Sequence, residues 1–399
     1  MKGPGPIFHE RYRTAREDIV VAMLLLNGFA FEVDRVGAEH EARETLARWT
    51  ARGLRFSTDG AGRRCFDPVE VWHFFKRQGL EGRDSFWEHR FVRTARSHVK
   101  RFADTAGDSL AVTLRRTIAV DAPAGKPLRL RVPAPLGAVR RVDDVVDILG
   151  LDEARVIASE GRLEVRGTAR GDRTVTIGAT HAVPRAFVSV DAPDPLHLSP
   201  SEGLIVVSDE IRRLAVRLAG TAPRDEIAVR AFWDHLIANF GCGPMHYDQI
   251  DPRAPCDWIV DTGWFDCQLA SVLFTALCRA AGIPARVVGG YFVYPAAPTN
   301  HFWAEAWLDG QGWLPFDFIC WDLSSGGRDD AWTDHFFGRI DARMVCERLP
   351  LEFVGAIGTR VPPAWRVVQT SASGGVRIDL EGLDGAAVTS DLVRAAFHA

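Results

Sequence analysis

No apolar run in this sequence is long enough to cross a bilayer. The longest lies near Ile19 to Phe31, short of the roughly 20 residues a spanning helix needs. The acidic Glu10, Glu17 and Asp18 precede it, and a secretory leader avoids such charges. A buried helix is expected there, with no signal peptide and no membrane partner. Charge of one sign is also scarce. The formal net charge is -4 over 399 residues, which gives no general electrostatic argument for nucleic acid or an anionic surface as partner. The seven cysteines, at 65, 242, 256, 267, 278, 320 and 346, lack the spacing of a disulfide framework, and their odd number leaves a thiol without an intramolecular mate. A chain of this size does not need such staples, so a reducing, cytoplasmic compartment is expected. Missing too are an internal repeat, a low-complexity run and an EF-hand calcium loop. Gly289-Gly290 and Gly326-Gly327 follow no phosphate-loop pattern.

What is present is ordinary for a globular protein. Hydrophobic residues make up 47% and charged residues 25%, enough for a normal core, and the length implies two or three domains. Residues 1–107 read as mostly helical. Asp67-Pro68-Val69-Glu70 is a helix start, with an Asp cap, Pro in the first turn and Glu three after the cap. Val71, Phe74 and Phe75 share one side of the helix that follows. The basic stretch Arg90 to Arg101 reads as a solvated helix face. Residues 108–200 change to period-two alternation, as in Leu110, Val112 and Leu114, Leu128, Leu130 and Val132, Leu163 and Val165, and Val175 and Ile177. Turn signals such as Asp121-Ala122-Pro123-Ala124-Gly125 separate these runs, and a small antiparallel β-sandwich is expected. Closely spaced prolines between Pro184 and Glu202 mark a boundary. Residues 201–350 form a third block. It opens with a helix capped by Ser208 and a second carrying Val229, Phe232, Leu236 and Phe240 on one side. Residues 351–399 read as a tail or as strands that complete a sheet.

The chemistry gathers in the third block. After Cys267, the residues Leu269, Val272, Leu273, Ala276, Leu277 and Ala280 keep helical spacing, and Gly282 and Pro284 stop the helix. Cys267 therefore sits at a helix N-terminus, where unsatisfied amides and the helix dipole favour a thiolate. Cys278, inside the same helix, reads as structural. Ile283 to Tyr291 reads as a strand. His301 begins a second strand, Gly310 to Gly312 make a turn, and Trp313 to Asp317 run back as a third. Antiparallel neighbours can bring His301 beside Asp317, and the helix can present the sulfur to the imidazole. Those are the parts of an activated nucleophile: a thiol, a base and a group that orients the base.

Four segments carry a resemblance. They are Cys267 with its following helix, Gly282-Ile283-Pro284-Ala285-Arg286, His301-Phe302-Trp303-Ala304-Glu305 and Gly312-Trp313-Leu314-Pro315-Phe316-Asp317. In order and spacing they resemble the core of the bacterial transglutaminase-like superfamily, over roughly residues 205–340. The strand-rich block before it is similar to the β domain that often precedes this core in bacterial members. The resemblance implies an α+β fold. Its catalytic core would be papain-like, a helix packed on an antiparallel sheet, preceded by a small β-sandwich and an N-terminal helical region. It also implies a Cys267, His301 and Asp317 triad that forms an acyl-thioester and then hydrolyses a peptide or amide or passes the acyl group to an amine. Two positions depart from the family's pattern. Phe265 stands where Gly is frequent two residues before the nucleophile, with Gly263 two residues earlier, and Leu269 stands where relatives are often acidic.

The backbone N–H of Cys267 is one natural oxyanion donor. Tyr247 and Trp258 are candidates for the other, or else wall residues. Trp264, close to the nucleophile, is a candidate lining of an acyl pocket. Arg286 and Glu305 match the family pattern as a supporting ion pair. Cys242, His246 and Cys256 invite a metal reading, but their spacing fits no common zinc pattern and a fourth ligand is not evident; no metal or cofactor is expected. The competing reading is a non-catalytic scaffold in which the third block serves as a folded module.

Overall fold

The computed structural model describes residues 14–27, 35–78, 109–119, 122–133, 136, 145–159, 162–172, 174–184, 191–220, 225–246, 249–251, 253–292, 300–325, 332–348, 376–380 and 386–389. The first block has a small sheet of β1 (Ala15–Arg16), β2 (Ser57–Thr58) and β3 (Arg64–Phe66) in the order β1-β3-β2. Three helices accompany it: α1 (Glu17–Asn27), α2 (Arg35–Ala51) and α3 (Pro68–Arg77). The apolar stretch expected to be a buried helix is α1. At the start of α3 the Asp67 side chain accepts from the Val69 amide at 2.9 Å, and Pro68 occupies the first turn, where its missing N–H costs nothing. Val71, Phe74 and Phe75 of α3 join Leu46, Trp49, Val20 and Val21 in a separate core. The basic stretch Arg90 to Arg101 lies outside the described residues.

The second block is antiparallel sheet. It contains β4 (Ser109–Ala119), β5 (Pro127–Pro133), β6 (Val145–Leu149), β7 (Leu151–Ser159), β8 (Arg162–Ala169) and β9 (Thr174–Pro184). The order in one sheet is β5-β8-β7. Leu130, Leu163 and Val165 from that sheet meet Val175, Ile177 and Ala179 from β9 in a shared core, as facing sheets of alternating strands require. The linker after β9 is fastened to the third block: Trp313 Nε1 donates to the Asp191 carbonyl at 2.8 Å, and His197 sits edge-on to Trp313. After the linker come β10 (Ser201–Glu202) and β11 (Ile205–Val206), paired antiparallel.

The third block contains α4 (Asp209–Ala219), α5 (Asp225–Asn239), β12 (Gly241–Cys242), α6 (Pro255–Thr262), β13 (Trp264–Phe265) and α7 (Cys267–Ala280). Then follow β14 (Ala285–Phe292), β15 (Asn300–Leu308), β16 (Gly312–Phe316), α8 (Phe318–Ser325) and β17 (Arg343–Arg348). Ser208 caps α4 through its hydroxyl. Strands β14 to β17 form an antiparallel sheet in the order β16-β15-β14-β17. Helix α7 is buried on nearly every side. Its Leu269, Val272, Leu273, Ala276 and Leu277 share a core with Phe302, Ala304 and Ala306 of β15. Strand alternation then assigns His301, Trp303 and Glu305 to the opposite face of the sheet. The last strands, β18 (Val376–Leu380) and β19 (Ala386–Thr389), extend the sandwich, whose second sheet runs β19-β18-β4-β9-β6. Among the described residues no helix is long and apolar enough to cross a membrane.

Gly290 sets the geometry beside His301. The two residues are paired across β14 and β15, and the register of β14 with β17 shifts between Gly289 and Gly290. A Cβ on Gly290 would lie 1.9 Å from the Met344 carbonyl oxygen and 3.1 Å from the Trp303 ring. Gly290→Ala is therefore expected to destabilise the protein by about 2–3 kcal/mol, the usual cost of overpacking, read as a lower urea midpoint at unchanged m-value.

Candidate active site

The start of α7 is built by three local devices. Gly263 ends α6 in the left-handed region at φ 71°, which a residue without Cβ adopts freely. Phe265 is buried, stacks on Phe240 at 5.6 Å and 14°, and meets Phe318 edge-on at 6.0 Å. The approach to the nucleophile, where relatives often have Gly, is thus fixed here by aromatic packing. Asp266 then caps α7, its carboxylate accepting from the Leu269 amide at 2.9 Å. Cys267 is the first residue of the helix. None of the seven cysteines forms a disulfide, and Cys267 alone among them is only partly buried.

Burial pushes the Cys267 thiol up, and the Asp266 and Asp317 carboxylates push the same way. The backbone amides of Phe302 and Gln268 beside the sulfur pull it down without prevailing. The helix-end effect expected from the sequence is present, but desolvation and the capping carboxylate outweigh it. Burial and the two carboxylates thus favour the thiol over the thiolate.

His301 and Asp317 are joined directly: Nε2 of His301 and Oδ2 of Asp317 lie 2.9 Å apart, both residues buried. Asp317 follows β16, and its Oδ1 accepts the Cys320 amide at 2.9 Å as α8 begins. No motif pointed to the next partner. Arg343, at the start of β17, donates from Nη1 to Asp317 Oδ2 at 2.6 Å. Burial opposes ionisation of Asp317, but His301, Arg343 and the Cys320 amide together hold its carboxyl well below the usual range. Burial lowers the His301 proton affinity; Asp317 raises it and Arg343 lowers it further.

The remaining sequence candidates scatter. Trp264 stacks on His73 of α3 at 3.8 Å and 8°, so one face of its ring is taken up between blocks. Trp258 lies on α6, half-buried against the main core. Tyr247 lies outside the described residues. Arg286 and Glu305 form the expected ion pair, Nη2 to Oε2 at 2.7 Å with both side chains buried. The Arg286 guanidinium also lies 3.9 Å over the Trp313 ring and bonds Asp191, a supporting position. Cys242, His246 and Cys256 have other engagements. His246 Nε2 is 2.7 Å from Asp67 Oδ2, the Cys256 thiol faces the Leu204 carbonyl, and burial raises the Cys242 thiol well above its ordinary value. Among the described residues the group with metal-ligand spacing is His301, Asp317 and Cys320, its ligand atoms within 4.8 Å of one another. The Arg343 guanidinium already bonds two of the three, with Nη2 3.2 Å from Cys320 Sγ, and supplies the positive charge there.

Helix α3 clamps the segment leading to the nucleophile. Trp72 Nε1 donates to the Cys242 carbonyl at 2.9 Å, and His73 Nε2 lies 3.0 Å from the Pro244 carbonyl oxygen. Lys76 Nζ reaches Asp322 of α8 at 2.7 Å, both side chains largely buried. Nothing in the pattern of α3 distinguished these residues from an ordinary helix face.

A sequence profile of the transglutaminase-like superfamily matches residues 212–318, a span holding Cys267, His301 and Asp317. The chain carries a transglutaminase-like domain. Its helix on an antiparallel sheet, within an α+β chain, is the fold the resemblance implied. A protein-glutamine gamma-glutamyltransferase of Pseudomonas aeruginosa is 29% identical to this chain over 137 residues, which are 31% of this chain and 19% of that protein. The chain thus matches about a fifth of the length of this relative. A solved structure described as a candidate cysteine protease from Cytophaga hutchinsonii aligns with 70% of this chain and 93% of its own, at 19% identity and TM-score 0.39. The periplasmic domain of TgpA from Pseudomonas aeruginosa aligns with 60% of this chain and 96% of its own, at 17% identity and TM-score 0.28.

The clamp carries a pH dependence with a defined sign. Burial lowers His73 from 6.5 to about 4. The folded state therefore keeps His73 neutral where the unfolded chain takes up a proton, and stability from this group is lost as pH falls from about 6.5 toward 4. His73→Phe keeps a ring against Trp264 and removes the titration. Urea unfolding at pH 7 and pH 5 is expected to show a smaller stability difference in the variant than in the parent; an equal difference would remove His73 from the account.

Proposed function

We propose that the protein is a cysteine acyl-transfer enzyme, with Cys267 as nucleophile, His301 as base and acid, and Asp317 as the group that orients the imidazole. The observation that carries the reading is the buried His301–Asp317 hydrogen bond at the start of β15, with the Cys267 sulfur at the neighbouring Phe302 amide. Asp317 engages Nε2, so Nδ1 is the nitrogen that receives the thiol proton. Burial pushes the Cys267 thiol up and the His301 imidazole down.

The reaction divides into two steps. As the sulfur attacks the carbonyl carbon of a peptide or amide, its proton passes to His301, and a tetrahedral oxyanion forms. The Cys267 backbone N–H at the helix start is the donor proposed for that oxygen. His301 returns the proton to the departing amine, leaving an acyl-thioester. Water or an amine then attacks the thioester, His301 taking its proton and giving it back to the sulfur. Water yields hydrolysis, and an amine yields a new amide. The γ-glutamyl transfer named for the Pseudomonas relative supports amide donors and amine acceptors among the substrates to try.

The test is intact-mass detection of an acyl adduct at Cys267 after exposure to peptide, amide and thioester donors, with and without amines. An adduct is expected in the parent and none in Cys267→Ala. Asp317→Asn is expected to slow acylation by as much as about 10⁴-fold, because a neutral amide neither fixes the tautomer nor stabilises the imidazolium. A folded, reduced protein that acylates with no donor would leave the scaffold reading in its place.

Since burial lowers His301, acid inactivation is expected to begin below the ordinary imidazole value of about 6.5. The pH profile of single-turnover acylation reads this directly, and an acid limb above that value would contradict the assignment.

A further inference from the structure

The matched profile ends at residue 318, yet a buried cation from outside it touches the centre of the site. Strands β16 and β17 are the two edges of the four-stranded sheet. Even so, Arg343 at the start of β17 meets Asp317 just past the end of β16. The Arg343 side chain is 1% exposed. Its Nη1 lies 2.6 Å from Asp317 Oδ2, its Nε and Nη2 lie 3.0 and 2.8 Å from Asp341 Oδ1, and its guanidinium carbon lies 5.6 Å from the Trp303 ring centroid. Cys320 closes the surround through its sulfur, while its backbone amide holds the other Asp317 oxygen. A planar fork fixed at this many points is pre-organised. It does more than neutralise a carboxylate, because it determines which way the carboxylate faces.

We propose that Arg343 is a positioning residue of the acyl-transfer site, clamping the Asp317 carboxylate so that Oδ2 is presented to His301 Nε2. This rests on the reading of Cys267, His301 and Asp317 as a triad. Two donors share Oδ2, one from the imidazole and one from the guanidinium, and the Cys320 amide holds Oδ1. The carboxylate has no remaining freedom to rotate away from the imidazole.

The charge of Arg343 has a separate effect. Asp317 draws a proton onto His301, and Arg343 opposes it. The charged groups that act on His301 are Asp317 after β16, Arg343 on β17 and Asp341 just before β17, and Asp317 also acts on Cys267 at the start of α7. Removing Arg343 leaves Asp317 and Asp341 unopposed, so His301 keeps its own proton to higher pH and the neutral imidazole that accepts the thiol proton appears only there. Removing the charge of Asp341 has the reverse effect. The clamp and the charge thus give separable signatures.

Alkylation of Cys267 by iodoacetamide, read by mass on the peptide that contains it across a pH series, requires no knowledge of the substrate. Arg343→Met is expected to react about 10²-fold more slowly, the scale of a misplaced catalytic group, with its pH midpoint moved upward. Arg343→Lys keeps the charge without the fork, so its midpoint stays with the parent while its rate falls between the two. Asp341→Asn is expected to move the midpoint downward. A bystander arginine that only stabilises the fold would lower thermal midpoints and leave every pH midpoint in place, and that result overturns the proposal. Should Arg343→Met fail to fold, the opposed behaviour of Arg343→Lys and Asp341→Asn still decides it. Failure of the triad itself looks different: parent Cys267 would then react no faster than the other thiols, and His301→Ala would change nothing.

Discussion

A fully buried carboxylate held in its ionised form is the constraint around which the third block is arranged. Asp317 has lost its water, and desolvating a lone carboxylate is unfavourable enough that it would ordinarily take up a proton. It remains charged because an imidazole, a guanidinium and a backbone amide converge on it from three different elements. Each comes from an element whose own position is fixed by packing. The imidazole comes from β15, pressed against α7; the amide comes from the first turn of α8; the guanidinium comes from the far edge strand. The charge therefore requires the sheet, both helices and β17 to be in register at one end.

Cys267 is held by a different kind of force. Its approach segment relies on aromatic surfaces, with Phe265 between Phe240 and Phe318, and Trp264 against His73. Such contacts favour offset or edge-on geometry over a range of distances, whereas the hydrogen bonds at Asp317 are short and directional. One half of the site is thus set by shape and the other by charge. The boundary between them runs between Cys267 and Phe302. The first block belongs to the shape half, since the α3 clamp bears on the segment that precedes the nucleophile.

Local signals in the sequence carried the helix start at Asp67 and most of the third block. The Asp67 and Ser208 caps, the apolar helix after Cys267, the turn at Gly310 to Gly312 and the paired strands around His301 and Asp317 all follow from short-range chemistry that reads the same in the chain and in the fold. What escaped notice depends on long-range placement. Arg343 lies 26 residues from Asp317 along the chain, at the start of a strand with no motif of its own. Lys76 finds Asp322 across 246 residues, and a lysine late in a helix reads as a surface residue. Strands β6 and β7 were also unremarked, because Val145 to Leu151 is a near-continuous apolar run in place of an alternation. The helix-end argument for a thiolate at Cys267 was sound as far as it went. It omitted the adjacent Asp266 carboxylate and the desolvation that only the folded neighbourhood supplies.

The two last strands tie the molecule's assembly to its order of synthesis. Strand β4 lies mid-sheet in the sandwich, with β9 on one side and β18 on the other. Its second neighbour is encoded more than 250 residues after it, beyond the entire catalytic block. While the chain emerges, one edge of β4 has its amides and carbonyls bare, and a bare edge is a template for pairing with any other strand. The sandwich is thus begun before the sheet of the third block and finished after it. Loss of the final strands would injure the protein through self-association at β4, a strand outside the sheet that carries His301.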